Sequence, residues 1–193
     1  WFDPEHKQPL PLLPARIAVV TSGTSAALTD VVRTARERCP GTALLVVDVR
    51  VQGEEAVGEV VEAIRRLDAH RTTLGLDAIL VTRGGGSPED LQAFNERAVA
   101  SAVRACTLPV VAAIGHESDT TIIELVADRR ASTPTQAIMH LLPDADELRQ
   151  QVDDRTQRLR LLAGQLVQHA TQRSGRHVEQ LRRTMTMAIQ VRR

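Results

Sequence analysis

Aromatic side chains are almost missing from this chain: Trp1, Phe2 and Phe94 are the three in 193 residues, and tyrosine is absent. Three rings are too few for a platform on which nucleic-acid bases could stack. Cysteine is as scarce. Cys39 and Cys106 have no partner spacing for a metal and read as two reduced structural thiols. No apolar run approaches the roughly 18 residues of a membrane span, and the N-terminus lacks the basic-then-apolar pattern of a signal peptide. A cytoplasmic protein is the expectation.

Net charge is also absent, with 24 basic and 24 acidic residues, but the balance hides an asymmetry. Residues 155 to 193 carry 9 arginines and a single acid, Glu179. Such a basic arm suits nucleic acid or an acidic partner, or is a solvated helix face. Lysine occurs once, at Lys7, against 23 arginines; this reads as codon composition and carries no functional signal.

The first fifteen residues hold four prolines and no periodicity and read as an extended linker entering a domain, so the chain is expected to be a fragment. From Arg16 the pattern alternates. Strands are expected at Ile17 to Thr21, Ala43 to Asp48, Ala78 to Thr82 and Val110 to Ile114. Helices are expected at Ser25 to Arg38, Glu54 to His70, Pro88 to Ala105 and Thr120 to Ala127. The strands are short and apolar on both faces, which predicts a doubly wound α/β domain with a mainly parallel, Rossmann-like sheet over residues 16–142. If the strand order is 2-1-3-4, the winding reverses between the first and third strands, and Thr21 to Ser25 and Arg83 to Ser87 flank one ligand crevice there.

After Asp128 a polar turn leads to a Ser/Thr-Pro helix start at Ser132-Thr133-Pro134 and a short helix to Leu142. Residues 143–193 read as one long helical extension, the start of a coiled-coil segment. Leu148, Val152, Leu159, Leu162 and Leu166 fall on alternating steps of three and four with Arg155 at a seam position, and Val178, Leu181, Met185 and Ala188 resume in a shifted phase. A narrow stripe of this kind seeks a partner helix or packs back on its own domain. Without a C-cap signal at Arg193, the helix is expected to continue further.

Two strand exits carry the chemistry. The strand Ala78 to Thr82 runs into Arg83-Gly84-Gly85-Gly86-Ser87-Pro88, where successive glycines leave backbone N–H groups uncovered for an anion and Pro88 suits the first turn of a helix. Arg83 at a strand end is ordinarily a structural ion pair; beside three glycines its fork is placed to hold a phosphate. The second exit, Gly115-His116-Glu117-Ser118-Asp119, puts an imidazole and two carboxylates at a strand-to-helix turn. Asp119 also suits the N-cap of the following helix.

With these motifs in order, the chain resembles the large subunit of exodeoxyribonuclease VII, a bacterial nuclease that degrades single-stranded DNA to short oligonucleotides. The matching pieces are Val19-Val20-Thr21-Ser22 with Thr24 and Asp30; Val51-Gln52-Gly53; Arg83 to Asp90 with Phe94-Asn95; Gly115-His116-Glu117 with Asp119; and Ala127-Asp128-Arg130 with Thr133-Pro134. Ser25 stands where that family usually has glycine, Pro88 where it has leucine, and Gln136 to His140 departs from its small-residue run. The family's N-terminal OB-fold has no counterpart here. The resemblance implies catalytic roles for Asp30, Arg83, His116 and Asp119; the strand-exit residues themselves add Gly84, Gly85 and Gly86 as N–H donors to the phosphate and Ser22, Thr24, Ser87 and Glu117 as hydrogen-bond partners of the phosphate or of the catalytic groups. The resemblance further implies no obligatory metal and helical small subunits bound through the C-terminal helix; the residues themselves leave a magnesium site of Asp30, Glu117 and Asp119 open. Two other readings stand beside it: a non-catalytic nucleotide- or phosphate-binding α/β module, and a scaffold for small subunits.

Overall fold

The computed structural model describes residues 1–84, 88–115 and 120–190, with backbone alone at 88–90 and 188–190. Five strands, β1 (Arg16–Thr21), β2 (Ala43–Asp48), β3 (Ala78–Thr82), β4 (Val110–Ala113) and β5 (Arg129–Arg130), form one sheet in the order β2-β1-β3-β4-β5. All the pairings are parallel. Parallel neighbours need crossover connections over a face of the sheet. These are α1 (Ala26–Arg38), α2 (Ala56–Ala69), a single turn α3 (Arg71–Leu74), α4 (Arg97–Ala105) and α5 (Ile122–Val126), followed by α6 (Pro134–Leu141).

Side chains alternate across each strand, so the sheet separates two cores. On one face Ala18, Val20, Ile79, Val81, Val110 and Ala112 pack against α2, α4 and α5. On the other, Ile17, Val19, Ala78, Leu80 and Val111 meet α1 and α6. β3 and β4 are buried along their whole length, whereas β2, at the sheet's edge, is half exposed.

The four expected strands are present in the order 2-1-3-4, the one for which a crevice falls between the first and third, and β5 is an addition. Arg129 and Arg130 are two charged residues without apolar alternation and read as a polar turn, yet Arg129 pairs with Val111 and Arg130 with Ala112 through the backbone. The expected single helix Pro88 to Ala105 is two elements. Pro88–Asn95 is a 3₁₀ helix and α4 starts at Arg97, because Glu96 between them has extended backbone (φ −72, ψ 136). In a 3₁₀ turn residues i and i+3 eclipse; here those are Leu91 and Phe94, both buried. Packing outweighed helix propensity in this stretch.

α2 begins at Ala56, two residues later than expected, since Gly53 holds φ +85 in the left-handed region that favours glycine. α5 begins after Thr121, and the cap assigned to Asp119 belongs to Thr121.

Carboxylates tie the elements together. Asp77 Oδ2 accepts from the N–H of Ala15 (2.7 Å) and Arg16 (3.0 Å), fixing the start of β1 beside β3. Asp128 accepts from Gln8 N–H (2.6 Å) and Val110 N–H (2.7 Å). Lys7 donates to the carbonyls of Leu125 and Ala127 at the C-terminal end of α5. Cations are favoured at that end of a helix. Burial pulls the Lys7 ammonium below its ordinary pKa, with Asp128 acting against it. The proline-rich segment is therefore docked on the domain at residues 7 and 8.

Residues 146–190 belong to a separate unit, all within the 46-residue helix α7 (Ala145–Gln190). Its seam residues Val152, Leu159, Leu162, Leu166, Val178, Leu181 and Met185 are all exposed. No described helix is long and apolar enough to cross a membrane.

Two outcomes follow from this packing. Phe94, fully buried in the larger core, is expected to cost about 3–5 kcal/mol when changed to alanine, read from the denaturant midpoint. Cys39 and Cys106 are both free thiols. Burial, the largest cause, pushes the Cys106 thiol from 9.0 up to about 12, with Asp68 adding to it and the Leu108 backbone opposing. The folded pKa is raised, so native Cys106 keeps its proton from pH 9 to nearly 12. A thiol reagent at pH 9 should label half-buried Cys39 first and Cys106 only on unfolding.

Candidate phosphate site at the sheet's carboxyl edge

The winding reverses between β1 and β3, and the loops after both strands open on the same rim. After β1 the chain turns through residues 22–25 into α1. Ser25 caps that helix, its hydroxyl accepting from Leu28 N–H at 3.2 Å, while its own N–H donates to Ser22 O at 3.0 Å. Thr21 Oγ1 lies 3.3 Å from Ser25 Oγ, and Ser22 Oγ lies 3.4 Å from Thr24 Oγ1. Gly23 donates its N–H to Asp48 Oδ1 at 2.7 Å, and a Cβ at Gly23 would stand 3.1 Å from that carboxylate. The turn is thus held against the end of β2 by a carboxylate that leaves little room for a side chain.

After β3, Thr82 Oγ1 donates to Ala113 O at 3.0 Å and Arg83 N–H to the same carbonyl at 3.2 Å. The two strand exits are locked in register, with Arg83 buried. Arg83 and Gly84 line two clefts. One, of about 470 Å³, is lined by Ser22, Ser25, Arg50 and Gln52 together with these two residues. The other, of about 120 Å³, is lined by Asp30, Gly115, Ser132 and Thr133 together with the same pair.

The N-terminus of α1 opens here too. The first N–H groups of a helix have no intrahelical acceptor and carry the positive end of its dipole; Ala26 and Ala27 line the second cleft. Gly84 faces this end, its Cβ position 3.8 Å from Ala27 N. An anion beside Gly84 would meet an α-helix N-terminus supplied by α1, not by the segment starting at Pro88, which is 3₁₀.

Of the residues singled out in the sequence, Asp30, Arg83 and Gly84 come together on one cleft. Ser22 lines the other. Thr24 sits in the same turn, beside Ser22. Asp30 also pairs with Arg33 at 2.9 Å on the outer side of α1, the ordinary i, i+3 surface contact. Gly85, Gly86, Ser87, His116, Glu117 and Asp119 lie outside the described residues. Among the described residues no group of three or more His, Cys, Asp or Glu is arranged to hold a metal ion.

Sequence reasoning missed Asp48, Arg50 and Gln52 at the end of β2, and Ser132 and Thr133 after β5. Gln52 had a signal in Val51-Gln52-Gly53 at a strand exit. Arg50 lacked one, and its side chain is engaged by Glu59 at 3.3 Å as well as facing the cleft.

The family model described as the exonuclease VII large subunit matches residues 1–193. The exodeoxyribonuclease 7 large subunit of Pseudomonas putida is 47% identical over 160 residues, 83% of this chain and 34% of the relative. That of Azotobacter vinelandii is 46% identical over 160 residues, again 83% of this chain and 34% of the relative. For Chlorobaculum tepidum the values are 42% over 171 residues, 88% of this chain and 43% of the relative. The chain spans roughly a third to two-fifths of the length of these relatives. A match running from the docked N-terminal segment through both clefts and along the long helix assigns the chain to the exonuclease VII large-subunit family.

Proposed function

We propose that this chain is the part of an exodeoxyribonuclease VII large subunit that hydrolyses phosphodiester bonds of single-stranded DNA, releasing short oligonucleotides. The observation that carries the reading is the meeting of Asp30, Arg83, Gly84 and Gly115 on one cleft at the carboxyl ends of β3 and β4 and the N-terminus of α1. A phosphate there would be held by the Arg83 fork, by N–H groups from Gly84 to Gly86 and by the dipole of α1. The same groups would stabilise the charge that grows on the non-bridging oxygens during attack. Asp30 or Asp119 orients or deprotonates the water, and His116, next in the chain after Gly115, protonates the leaving oxygen or serves as the base.

Ser22, Thr24, Ser87 and Glu117 complete the hydrogen bonding around the phosphate in this reading. No metal is obligatory in it; magnesium held by Asp30, Glu117 and Asp119 is the alternative. The enzyme works in the cytoplasm. Helical small subunits bind along α7, whose exposed seam of Leu159, Leu162 and Leu166 matches the narrow stripe of a coiled-coil partner.

Two measurements test the proposal. End-labelled single-stranded DNA is incubated with the chain and its small subunit in excess EDTA, comparing wild type with His116→Ala. Cleavage by wild type and a rate lower by roughly 10²–10⁴-fold in the variant are expected for loss of a general acid or base. Equal cleavage by both removes His116 from the chemistry, and phosphate binding without cleavage in either, with magnesium restored, favours the binding module. Separately, Leu159→Asp combined with Leu162→Asp and Leu166→Asp should abolish capture of the small subunit while circular dichroism still reports a folded α/β unit. Undiminished capture would remove α7 as the docking element.

A further inference from the structure

Glu124 is a carboxylate with no solvent exposure of its side chain, and the reading above does not use it. Its place at the third position of α5, after Thr121, is that of a capping box, in which one carboxylate oxygen returns to the N-cap N–H. Oε2 does this, accepting from Thr121 N–H at 2.9 Å and from Thr121 Oγ1 at 2.9 Å. A cap alone needs no second oxygen and no burial. Yet Oε1 reaches back to the exit of β4, accepting from Gly115 N–H at 3.3 Å and Ile114 N–H at 3.4 Å, and it faces Arg130 Nε of β5 at 3.6 Å. A buried carboxylate is costly unless its lone pairs are filled and its charge is matched, and here both conditions are met.

The two oxygens of one side chain therefore grip Gly115 and Thr121, the residues on either side of 116–120. Those five residues include His116 and Asp119. Gly115 itself lines the cleft of Asp30 and Arg83. The start of α5 has a further tie, Asn95 Oδ1 accepting from Ile122 N–H at 2.9 Å. Oε1 of Glu124 is what joins the β4 exit to that anchored helix.

We propose that Glu124 is a positioning residue for the reaction: by spanning Gly115 and Thr121 it sets the separation of the two ends of the segment that bears His116 and Asp119. This rests on the hydrolytic reading of the cleft. Glutamine is the discriminating replacement, having the same shape but a single acceptor oxygen; its amide nitrogen would face an N–H donor on one side and the negative charge facing Arg130 Nε would be gone. Aspartate keeps the charge on a shorter arm.

The test compares wild type, Glu124→Gln, Glu124→Asp and His116→Ala in the chain with its small subunit, measuring kcat and KM on single-stranded DNA together with thermal melting. For folded Glu124→Gln, kcat should fall about tenfold or more with KM changed by less than about twofold, and Glu124→Asp should recover part of the loss. A folded Glu124→Gln with kcat within about twofold of wild type, or with a change in KM alone, overturns the proposal. If Glu124→Gln does not fold, Thr121→Val, which removes the hydroxyl that donates to Oε2 and accepts from the Glu124 N–H, takes its place: lower kcat at constant KM supports positioning and unaltered kcat overturns it. Amide hydrogen exchange at Gly115 and Thr121, read without DNA, separates this inference from the hydrolytic reading. An inactive wild type, or a His116→Ala variant as active as wild type, counts against that reading. Exchange faster by about tenfold in Glu124→Gln upholds the clamp on its own, and unchanged exchange removes it.

Discussion

β1 is hydrogen-bonded along both edges, to β2 on one side and β3 on the other, and because all three run parallel, every connection between them must cross a face of the sheet. Right-handed crossovers then send α1 over one face and α2 over the other. The loops leaving β1 and β3 separate at that point and leave a crevice between them. Arg83, Gly84 and the N-terminus of α1 meet there for this topological reason, although the sequence separates them by more than fifty residues. Helices packed on both faces bury β3 and β4 completely, and Thr82 and Arg83 both bond to Ala113 O, so the ends of the two strands are held in register.

Carboxylates bonded to backbone N–H groups supply a second level of order. Asp77, Asp128 and Asp48 each accept backbone N–H groups from distant segments, joining β1 to β3, the N-terminal segment to β4, and the β1 turn to the end of β2. Glu124 does the same between β4 and α5. In composition these acids cannot be told from Asp30 or Asp119, since the chemistry that accepts an N–H is the chemistry that orients a water. What distinguishes them is their surroundings. Glu124 is fully enclosed and its oxygens are occupied, whereas Asp30 stands partly exposed on a cleft wall.

Much of the fold was legible because apolar runs of four to six residues, alternating with amphipathic stretches, leave few solutions other than a doubly wound sheet. β5 was not legible: an edge strand of two arginines is held by backbone hydrogen bonds, and those leave no pattern in side chains. The break at Glu96 was hidden for a different reason. Residues 88–105 have the composition of a helix, and burial of Leu91 and Phe94 on one side of a tighter turn decides the matter only once a core exists to receive them. Asp119 looked like a cap because aspartate before two threonines is a good one; Thr121 takes the place because Glu124, three residues on, can reach back to it.

Taken alone, the sequence determined the parallel α/β architecture and the narrow apolar stripe along α7, since periodicity is written in neighbouring residues. Tertiary structure alone decided which helix N-terminus faces Gly84, which residues from the end of β2 and beyond β5 line the clefts, and which carboxylates are ties. Those outcomes depend on distances between segments far apart in the chain, and such distances exist only after the sheet has closed its two cores.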